Sequence, residues 1–178
     1  MEESVQHKRV ALPPQFSLGA HLLLSNGPLA GLAILVTSER VVVQGESMAP
    51  SIVPGEHILV SALTYRLRSP QRGDIVLLHD PWGQKRDYLK RIVGLPGEEV
   101  VMDEGHVSVD GVPLPEPYRS RGAGRPSYGD WQVGPDEYLV MGDNREASQD
   151  GRLFGPVRRD RIAGRAWLHY WPESVRRL

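Results

Sequence analysis

Short apolar runs separated by turn residues fill the chain from Arg40 onward. Valine, isoleucine and leucine dominate these runs, and glycine, proline or aspartate stand between them. No long stretch repeats its apolar residues with the period of a helix, and runs of this length between turn signals are typical of β-strands. The pattern therefore predicts a mainly β fold. The predicted strands are Arg40–Gln44, His57–Ser61, Asp74–His79, Tyr88–Gly94, Glu99–Asp103, His106–Val109, Glu137–Gly142 and Ala163–Tyr170.

Turn and loop signals refine this picture in the middle of the chain. Asp110-Gly111 is a hairpin-turn dipeptide. The prolines at 113 and 115 that follow it indicate an exposed edge strand or a loop. Residues 118–132 contain the stretch richest in glycine, arginine and serine, and we predict that they form a mobile surface loop within the domain.

The first 37 residues divide into a tail and an apolar segment. Residues 1–15 are polar and of mixed charge, which predicts a loose tail. Residues 16–37 contain no aspartate, glutamate, lysine or arginine, and a bilayer span needs about 20 mostly apolar residues. They are predicted to form a short membrane-associated helix that anchors the chain. The polar break at Asn26–Pro28 leaves two alternatives open, a signal peptide and a broken helical hairpin buried against the domain.

Charges on either side of residues 16–37 predict an orientation. Lys8 and Arg9 precede the segment, whereas Glu39 and Arg40 follow it. Because positive residues stay on the cytoplasmic side of a membrane, a single-pass anchor would have its N-terminus in the cytoplasm. Residues 38–178 would then form one domain on the extracytoplasmic face of the cell membrane.

Composition excludes several classes of function. The net charge is −1, with 21 basic and 22 acidic residues, so no general positive field is available to gather nucleic acid. The chain has no cysteine, which excludes disulfides, thiolate metal sites and a thiol nucleophile. The six histidines show no metal-ligand spacing, so we predict neither a metal site nor another cofactor. A Ser-His-Asp triad is not excluded by spacing, because triad residues are distant in sequence.

A serine lies in a turn between two apolar runs. Residues 44–55 contain Ser47 between Gly45 and Pro50, with valines before the stretch and Ile58 to Val60 after it. Glycine, serine and proline are ordinary turn residues, so this stretch alone favours a structural serine. A hydroxyl held on a tight connection between strands is also a way to present a nucleophile.

Three further segments change the interpretation of this serine. Together with residues 44–55 they resemble, in the same order, the conserved boxes of type I signal peptidases, the serine proteases that remove signal peptides from exported proteins. The resemblance extends from about Val41 to Pro172. The segments are Arg72–Leu78, Asp87–Glu98 and Gly142–Val157, and the ending at Ile162–Ala166 and Trp171–Pro172 is also similar.

The resemblance implies a fold and a catalytic pair. The fold would be a coiled, barrel-like antiparallel β-sheet. Ser47 would be the nucleophile and Lys90 its general base. A free lysine has a pKa of about 10.4, and burial in an apolar site can lower this value until the amine accepts a proton. Strand alternation places Ile92 on the same face as Lys90, and Arg91 on the opposite face is predicted to be structural or solvated.

The resemblance also implies a set of residues around this pair. The backbone N–H of Ser47 would stabilise the oxyanion. Some members of the family carry a hydroxyl two residues before the nucleophile, where this chain has Gly45, so the second donor is open. Gly151 replaces a serine that is usual in the family. The predicted support residues are Asp143, Arg145, Ser148, which would orient the lysine amine, Asp150 and Arg152.

The implied substrates are secretory preproteins with small residues before the cleavage site. The extended substrate would add to an open strand edge, for which we predict the strands Val41–Gln44 and Tyr88–Gly94. Membrane lipid is the second implied partner, and Met48 would contact either lipid or the core. Two alternative functions remain. They are a self-cleaving repressor-like Ser-Lys protease and a non-catalytic β-rich binding module.

Overall fold

Antiparallel strands are the main regular structure in the part of the chain that the computed structural model describes, namely residues 5–7, 28–83, 86–119, 127–171 and 176–178. The fold is therefore mainly β, as predicted. The short helices are α1 (Pro28–Thr37), α2 (Thr64–Leu67) and α3 (Gly151–Phe154). The strands are β1 (Val5–His7), β2 (Glu39–Val43), β3 (His57–Ser61), β4 (Ile75–His79), β5 (Asp87–Gly94), β6 (Glu99–Asp103), β7 (His106–Val109), β8 (Val112–Pro113), β9 (Gly129–Gln132), β10 (Glu137–Met141), β11 (Val157–Arg158), β12 (Ile162–Trp171) and β13 (Arg176–Arg177).

A nine-stranded sheet carries most of these elements. Its order is β1-β2-β3-β12-β4-β5-β10-β11, with β13 paired to β12. The long strand β12 joins the two halves, because β3 pairs with its second part and β4 with its first part. All eight strands predicted from the sequence are confirmed, and each bound lies within one residue of the prediction.

Strand β5 has different neighbours along its length. β4 pairs with it from Asp87 to Arg91. β10 pairs with it only between Arg91 and Gly94, because β10 ends at Met141 opposite Arg91. Residues 87–90 therefore have β4 on one side and no described strand paired on the other.

The outer edge of β2 is covered by β1. Val5 lies opposite Val43 and His7 opposite Val41 in an antiparallel pair, and β1 also lies close to β5. Of the predicted anchor, residues 16–27 lie outside the described part of the chain, and the remaining ten form α1. No helix among the described residues is long and apolar enough to cross a membrane.

A four-stranded sheet with the order β8-β7-β6-β9 lies beside the larger one. The predicted hairpin joins β7 to β8, and both Asp110 (φ 49°) and Gly111 (φ 76°) have the left-handed conformation that a two-residue turn requires. β8 is an exposed edge strand, as its proline indicated.

The prediction of a loop over residues 118–132 was wrong for its last part, because residues 129–132 form β9. β9 pairs with β6, and just beyond it the N–H of Val133 donates to Glu98 O over 2.9 Å. Pairing with an otherwise open edge and burial of Val133 outweigh the low strand propensity of glycine and aspartate. Residues 120–126 of the predicted loop lie outside the described part.

Apolar side chains pack on both faces of the large sheet and between the two sheets. One cluster around Ile58 and Leu77 includes Met48. A second cluster on the opposite face contains Ile92. A third joins the sheets through Val93 and Val100. The strand that carries Lys90 is therefore buried on both faces, as its near-continuous apolar sequence suggests.

Candidate active site

The connection between β2 and β3 carries Ser47 and is closed at its base. The N–H of Val43 donates to Glu56 O over 2.9 Å, and the N–H of Gly55 donates to Val43 O over 2.8 Å. Met48 is buried in the core at 1% exposure, which assigns it to packing and not to contact with lipid. Ser47 itself is 4% exposed, so its hydroxyl lies in a protected position beside the sheet.

Lys90 lies in the middle of β5 and is fully buried, with 0% exposure. Its Nζ donates a hydrogen bond to Ser47 Oγ over 3.0 Å. Tyr88, two residues earlier on the same face of the strand, places its ring centroid 5.2 Å from Nζ. The structure thus brings together the two residues that the sequence selected, within hydrogen-bonding distance and out of water.

The backbone around the serine leaves one donor unused. No hydrogen bond among the described residues uses the N–H of Ser47, so this group can donate to an oxygen next to Oγ. Gly45 lies between β2 and the turn and supplies no side-chain donor.

The segment after β10 holds the serine turn from the other side. The N–H of Asn144 donates to Ser47 O over 2.9 Å. Gly142 allows this close approach, because a Cβ atom built there would lie 2.6 Å from Ser47 O and 2.3 Å from Ser148 Oγ. Only a residue without a side chain fits at Gly142.

Asp150 and Arg152 fasten the far end of this segment. The Asp150 carboxylate is 1% exposed and accepts two bonds from the Arg152 guanidinium, over 2.8 and 3.0 Å. It also accepts the N–H of Gly142 over 2.9 Å. Burial alone would raise the pKa of Asp150, but the hydrogen bond and charge of Arg152 lower it below its ordinary value. Arg152 further donates to the backbone oxygens of Arg145 and Ser148.

Ser148 does not orient the lysine in this structure. Its Oγ is buried and forms no hydrogen bond of ordinary geometry among the described residues, but it lies close enough to the Asp150 carboxylate to help lower the pKa of Asp150. Ser148 packs against Gly142 instead, and its neighbours there include the backbone oxygen of Ser47. The predicted bond to Lys90 is therefore absent, although Ser148 does lie at the site.

Arg91, predicted to be structural or solvated, connects four parts of the site. Its guanidinium forms two bonds to the fully buried Asp143 carboxylate, over 2.8 and 2.6 Å. It also donates to Gly73 O over 2.8 Å and to Ser51 Oγ over 3.3 Å. The ring of Tyr118 covers its other face, with the centroid 4.1 Å from Cζ. Forked Arg–carboxylate pairs are strong and directional, so Arg91 fixes the relative position of these segments.

Arg145 is held in a similar way by Glu116, for which the sequence predicted no role. It forms a buried ion pair with Glu116, and its Nε donates to Gly142 O over 2.9 Å. No sequence signal near Glu116 indicated this contact, since the two partners are 29 positions apart.

The aspartate of the Arg72–Leu78 segment supports the sheet beneath the site. Asp74 accepts bonds from Arg68 and Arg165, over 2.9 and 2.8 Å, and from the Tyr65 hydroxyl over 3.1 Å. Burial would raise the pKa of Asp74, but these arginines and the N–H of Gln71 lower it. Asp74 thus ties β4 to β12 as a buried carboxylate.

The histidine–carboxylate pairs of the described residues lie elsewhere. His79 contacts Asp87 over 2.8 Å at an exposed position, and the buried His169 lies 3.2 Å from Glu56. Neither histidine bonds to Ser47, so the serine's partner in this geometry is a lysine. No group of three or more histidine, aspartate or glutamate side chains in the described part is arranged to hold a metal ion.

The chain is similar to known proteins over most of its length. The sequence model of the family described as signal peptidase, peptidase S26, matches residues 20–171. The chain belongs to the signal peptidase family. It is accordingly a serine-type peptidase, and its matched region spans β2 through β12 with Ser47 and Lys90 inside it.

Individual signal peptidases are similar over most of the chain. The probable signal peptidase I-2 of Synechocystis sp. is 34% identical over 175 residues, covering 93% of this chain and 78% of that protein. Signal peptidase IB of Staphylococcus aureus is 31% identical over 150 residues, covering 74% of this chain and 77% of that protein. The crystal structure of a signal peptidase I from Enterococcus faecalis matches 55% of this chain and 97% of its own, at 30% identity and a TM-score of 0.49.

Proposed function

We propose that this chain removes N-terminal signal peptides from exported proteins, with Ser47 as nucleophile and Lys90 as general base. The observation that supports this proposal is the buried 3.0 Å hydrogen bond between Lys90 Nζ and Ser47 Oγ. An amine can accept a proton only when it is neutral, and full burial favours the neutral form over the ammonium. The pair then has the distance and the environment that a Ser-Lys dyad needs.

The chemistry follows from this geometry. Ser47 Oγ attacks the carbonyl carbon of the scissile peptide while its proton passes to Lys90 Nζ. The N–H of Ser47 donates to the oxyanion that forms. The carbon–nitrogen bond then breaks, and Lys90 gives the proton to the leaving amine. A water molecule attacks the resulting ester, Lys90 takes its proton and returns it to Ser47, and the signal peptide leaves with a new carboxylate.

The support residues act through position. Asn144 N–H fixes the backbone of Ser47, and Asp143, Arg145, Asp150 and Arg152 fix the segment that contains Asn144. Because misplacement of a reacting group by about 1 Å can cost about 100-fold in rate, these contacts influence catalysis without touching substrate. We assign them to positioning and not to proton transfer.

The substrate class is a preprotein whose cleavage site is extended and carries small side chains. Such a segment would pair with residues 87–90 of β5, which lie beyond the end of the β10 ladder, and with the edge of β2. β1 holds the edge of β2, so a substrate strand there would take its place. β10 already pairs with β5 from Arg91 to Gly94, which narrows the predicted edge Tyr88–Gly94 to its first residues.

The proposal includes attachment to a membrane through residues 16–37, with the catalytic domain on the extracytoplasmic side. β1 precedes this segment and β2 follows it, and the two strands are paired. β1 and β2 are therefore on the same side of any membrane that the chain between them enters. This arrangement favours a hairpin with both ends on one side of the membrane over a single crossing, and the extracytoplasmic placement then rests on the export of the proposed substrates.

The dyad is tested by cleavage of a purified preprotein. We expect Ser47→Ala and Lys90→Met each to lower kcat by about 1,000-fold or more, because one removes the nucleophile and the other the base. Ser108→Ala in the second sheet and Lys85→Ala are the matched controls and are expected to cleave at the wild-type rate. A serine-reactive covalent probe should label the wild-type protein at Ser47 only.

Three results would contradict this function. The first is normal processing of the preprotein by either dyad variant. The second is a Ser47 that the probe does not label, which would indicate a binding module, and the third is cleavage of the chain by itself while preproteins stay intact.

The orientation is tested with single cysteines, since the chain has none of its own. Ser4→Cys and Ser108→Cys, expressed in cells, are treated with a membrane-impermeant maleimide. The hairpin arrangement predicts that both are labelled from outside. Labelling of Ser108→Cys alone would instead support a single crossing with a cytoplasmic N-terminus.

A further inference from the structure

The three residues Glu116–Tyr118, here called the tyrosine strap, reach from the small sheet to the catalytic side of the large one. The strap follows β8, and the small sheet holds it at both ends. Before it, the N–H of Leu114 donates to Val107 O over 2.8 Å. After it, the Arg119 guanidinium donates to Gly105 O over 2.5 Å. The small sheet therefore holds the strap at both ends, while Glu116 and Tyr118 contact Arg145 and Arg91 at the site.

The aromatic ring of Tyr118 packs against the guanidinium of Arg91. The ring lies 4.1 Å from Cζ of Arg91, on a guanidinium that is already forked to the buried Asp143 carboxylate. A cation over an aromatic face is attracted to it, most strongly where water is excluded. The Asp143 carboxylate and the Tyr118 ring thus hold the Arg91 guanidinium in place. Asp143 directly precedes Asn144, whose N–H donates to Ser47 O.

Glu116 performs the same function for Arg145. One of its carboxylate oxygens accepts from the Arg145 guanidinium and, over 3.0 Å, from the Tyr118 hydroxyl. Burial and this neighbouring carboxylate raise the pKa of Tyr118, so the hydroxyl stays protonated and donates. Arg145 in turn donates to Gly142 O, at the glycine that packs against Ser47 O. Both strap side chains therefore act on the segment 142–145.

We propose that Tyr118 and Glu116 are positioning residues for the Ser47–Lys90 pair. They fix Arg91 and Arg145, and these two arginines hold the segment that sets the backbone of Ser47. The strap does not touch the reacting atoms, and neither sheet alone contains the complete arrangement. The inference rests on the proposed function, since it assigns the strap a role in that same reaction.

The test compares two substitutions at Tyr118. Tyr118→Phe keeps the ring over Arg91 and loses only the hydroxyl, and we expect kcat within about threefold of wild type. Tyr118→Ala removes the ring, and we expect kcat to fall about 10- to 100-fold with KM within about threefold, because the serine is displaced while the substrate edges are unchanged. The rate of labelling of Ser47 by a small covalent probe should fall by the same factor as kcat.

A matched control is Tyr128→Ala, a tyrosine next to β9 that is 64% exposed. It should leave kcat, KM and the labelling rate unchanged. Glu116→Gln supplies a second variant if Tyr118→Ala does not fold, and we expect it to lower kcat with KM unchanged.

The outcomes distinguish the two proposals. A folded Tyr118→Ala protein with wild-type kcat and labelling rate, or with a change confined to KM, would overturn the role of the strap alone. A wild-type protein that neither cleaves preproteins nor labels at Ser47 would overturn the proposed function and this inference together.

Discussion

Ser47 and Lys90 are neighbours in space, but they are held by different kinds of structure. Lys90 lies inside a regular ladder, opposite Val76 of β4, and each residue of β5 helps to fix the next. Ser47 lies in an irregular turn whose backbone is fixed by Asn144, almost a hundred positions away. Lys90 is therefore positioned by its own hairpin, whereas Ser47 is positioned by distant segments. Substitutions far from the chemistry should act mainly through the serine.

The largest effect in this comparison is expected at Gly142. In Gly142→Ala the new Cβ meets the backbone oxygen of Ser47 at 2.6 Å, and backbone moves less readily than a side chain. The serine turn must shift while the Lys90 strand stays in place. We expect kcat to fall by about 100-fold, measured on a purified preprotein, with little change in KM.

Gly134→Ala is the control for the loss of a glycine. Its new Cβ meets the carboxylate end of Glu137 at 2.7 Å, and that flexible side chain can turn away. Wild-type kcat is expected. If Gly142→Ala were equally active, the turn would not depend on this contact.

The second effect concerns stability and its dependence on pH. Asp150→Asn leaves Arg152 without its carboxylate, and we expect the free energy of unfolding at pH 7 to fall by about 3 kcal/mol. The pKa of Asp150 is lowered in the folded protein, so its contribution is complete above the unfolded pKa and is lost as pH falls through the folded value. Urea unfolding should therefore show a smaller difference between variant and wild type at acid pH than at pH 7.

The ion pair between Asp160 and Arg158 is the exposed counterpart, since its side chains are 63% and 65% accessible. Asp160→Asn should change the unfolding free energy by no more than about 1 kcal/mol at either pH. Equal losses for the two aspartates would show that burial is not the reason for the sensitivity of Asp150.

The smallest effect concerns the contribution of the hydrogen bond between Ser47 and Lys90 to stability. Ser47→Ala removes the acceptor of the buried Lys90 amine, and we expect a loss of about 1 kcal/mol. Replacing both partners by apolar groups can be neutral or stabilising, so the double variant Ser47→Ala with Lys90→Met should regain that loss. Thermal or urea unfolding of the single and double variants measures this. Simple additivity of two losses would contradict it.

Local signals predicted the regular parts of this molecule well. Apolar runs and turn residues located the eight strands, and strand alternation placed Ile92 on the buried face that Lys90 shares. The hairpin at Asp110-Gly111 needed only the left-handed preference of those two residues. In each case the residues that determine the local structure lie within a few positions of it in the sequence.

The remaining parts depend on partners that are far apart in sequence. Arg91 and Asp143 are separated by 52 positions, and nothing near Arg91 distinguishes it from a surface arginine. Strand β9 forms because it pairs with the edge of β6, and not because Gly129 and Asp130 favour a strand. The family resemblance correctly placed Ser148 at the site but did not predict which group its hydroxyl faces. The direction of a short side chain depends on the packing around it.

The early end of β10 has a further consequence for selectivity. Beside Lys90, the ladder between β5 and β10 ends, because Met141 is the last residue of β10 and lies opposite Arg91. A peptide that took the position of β10 at the start of β5 would pair with the four residues 87–90. A bound peptide can therefore lie along about 13 Å of backbone, at about 3.3 Å per residue. The enzyme would then contact only a few residues of a preprotein. Signal peptides that are similar only at those few residues could therefore be cleaved by one enzyme.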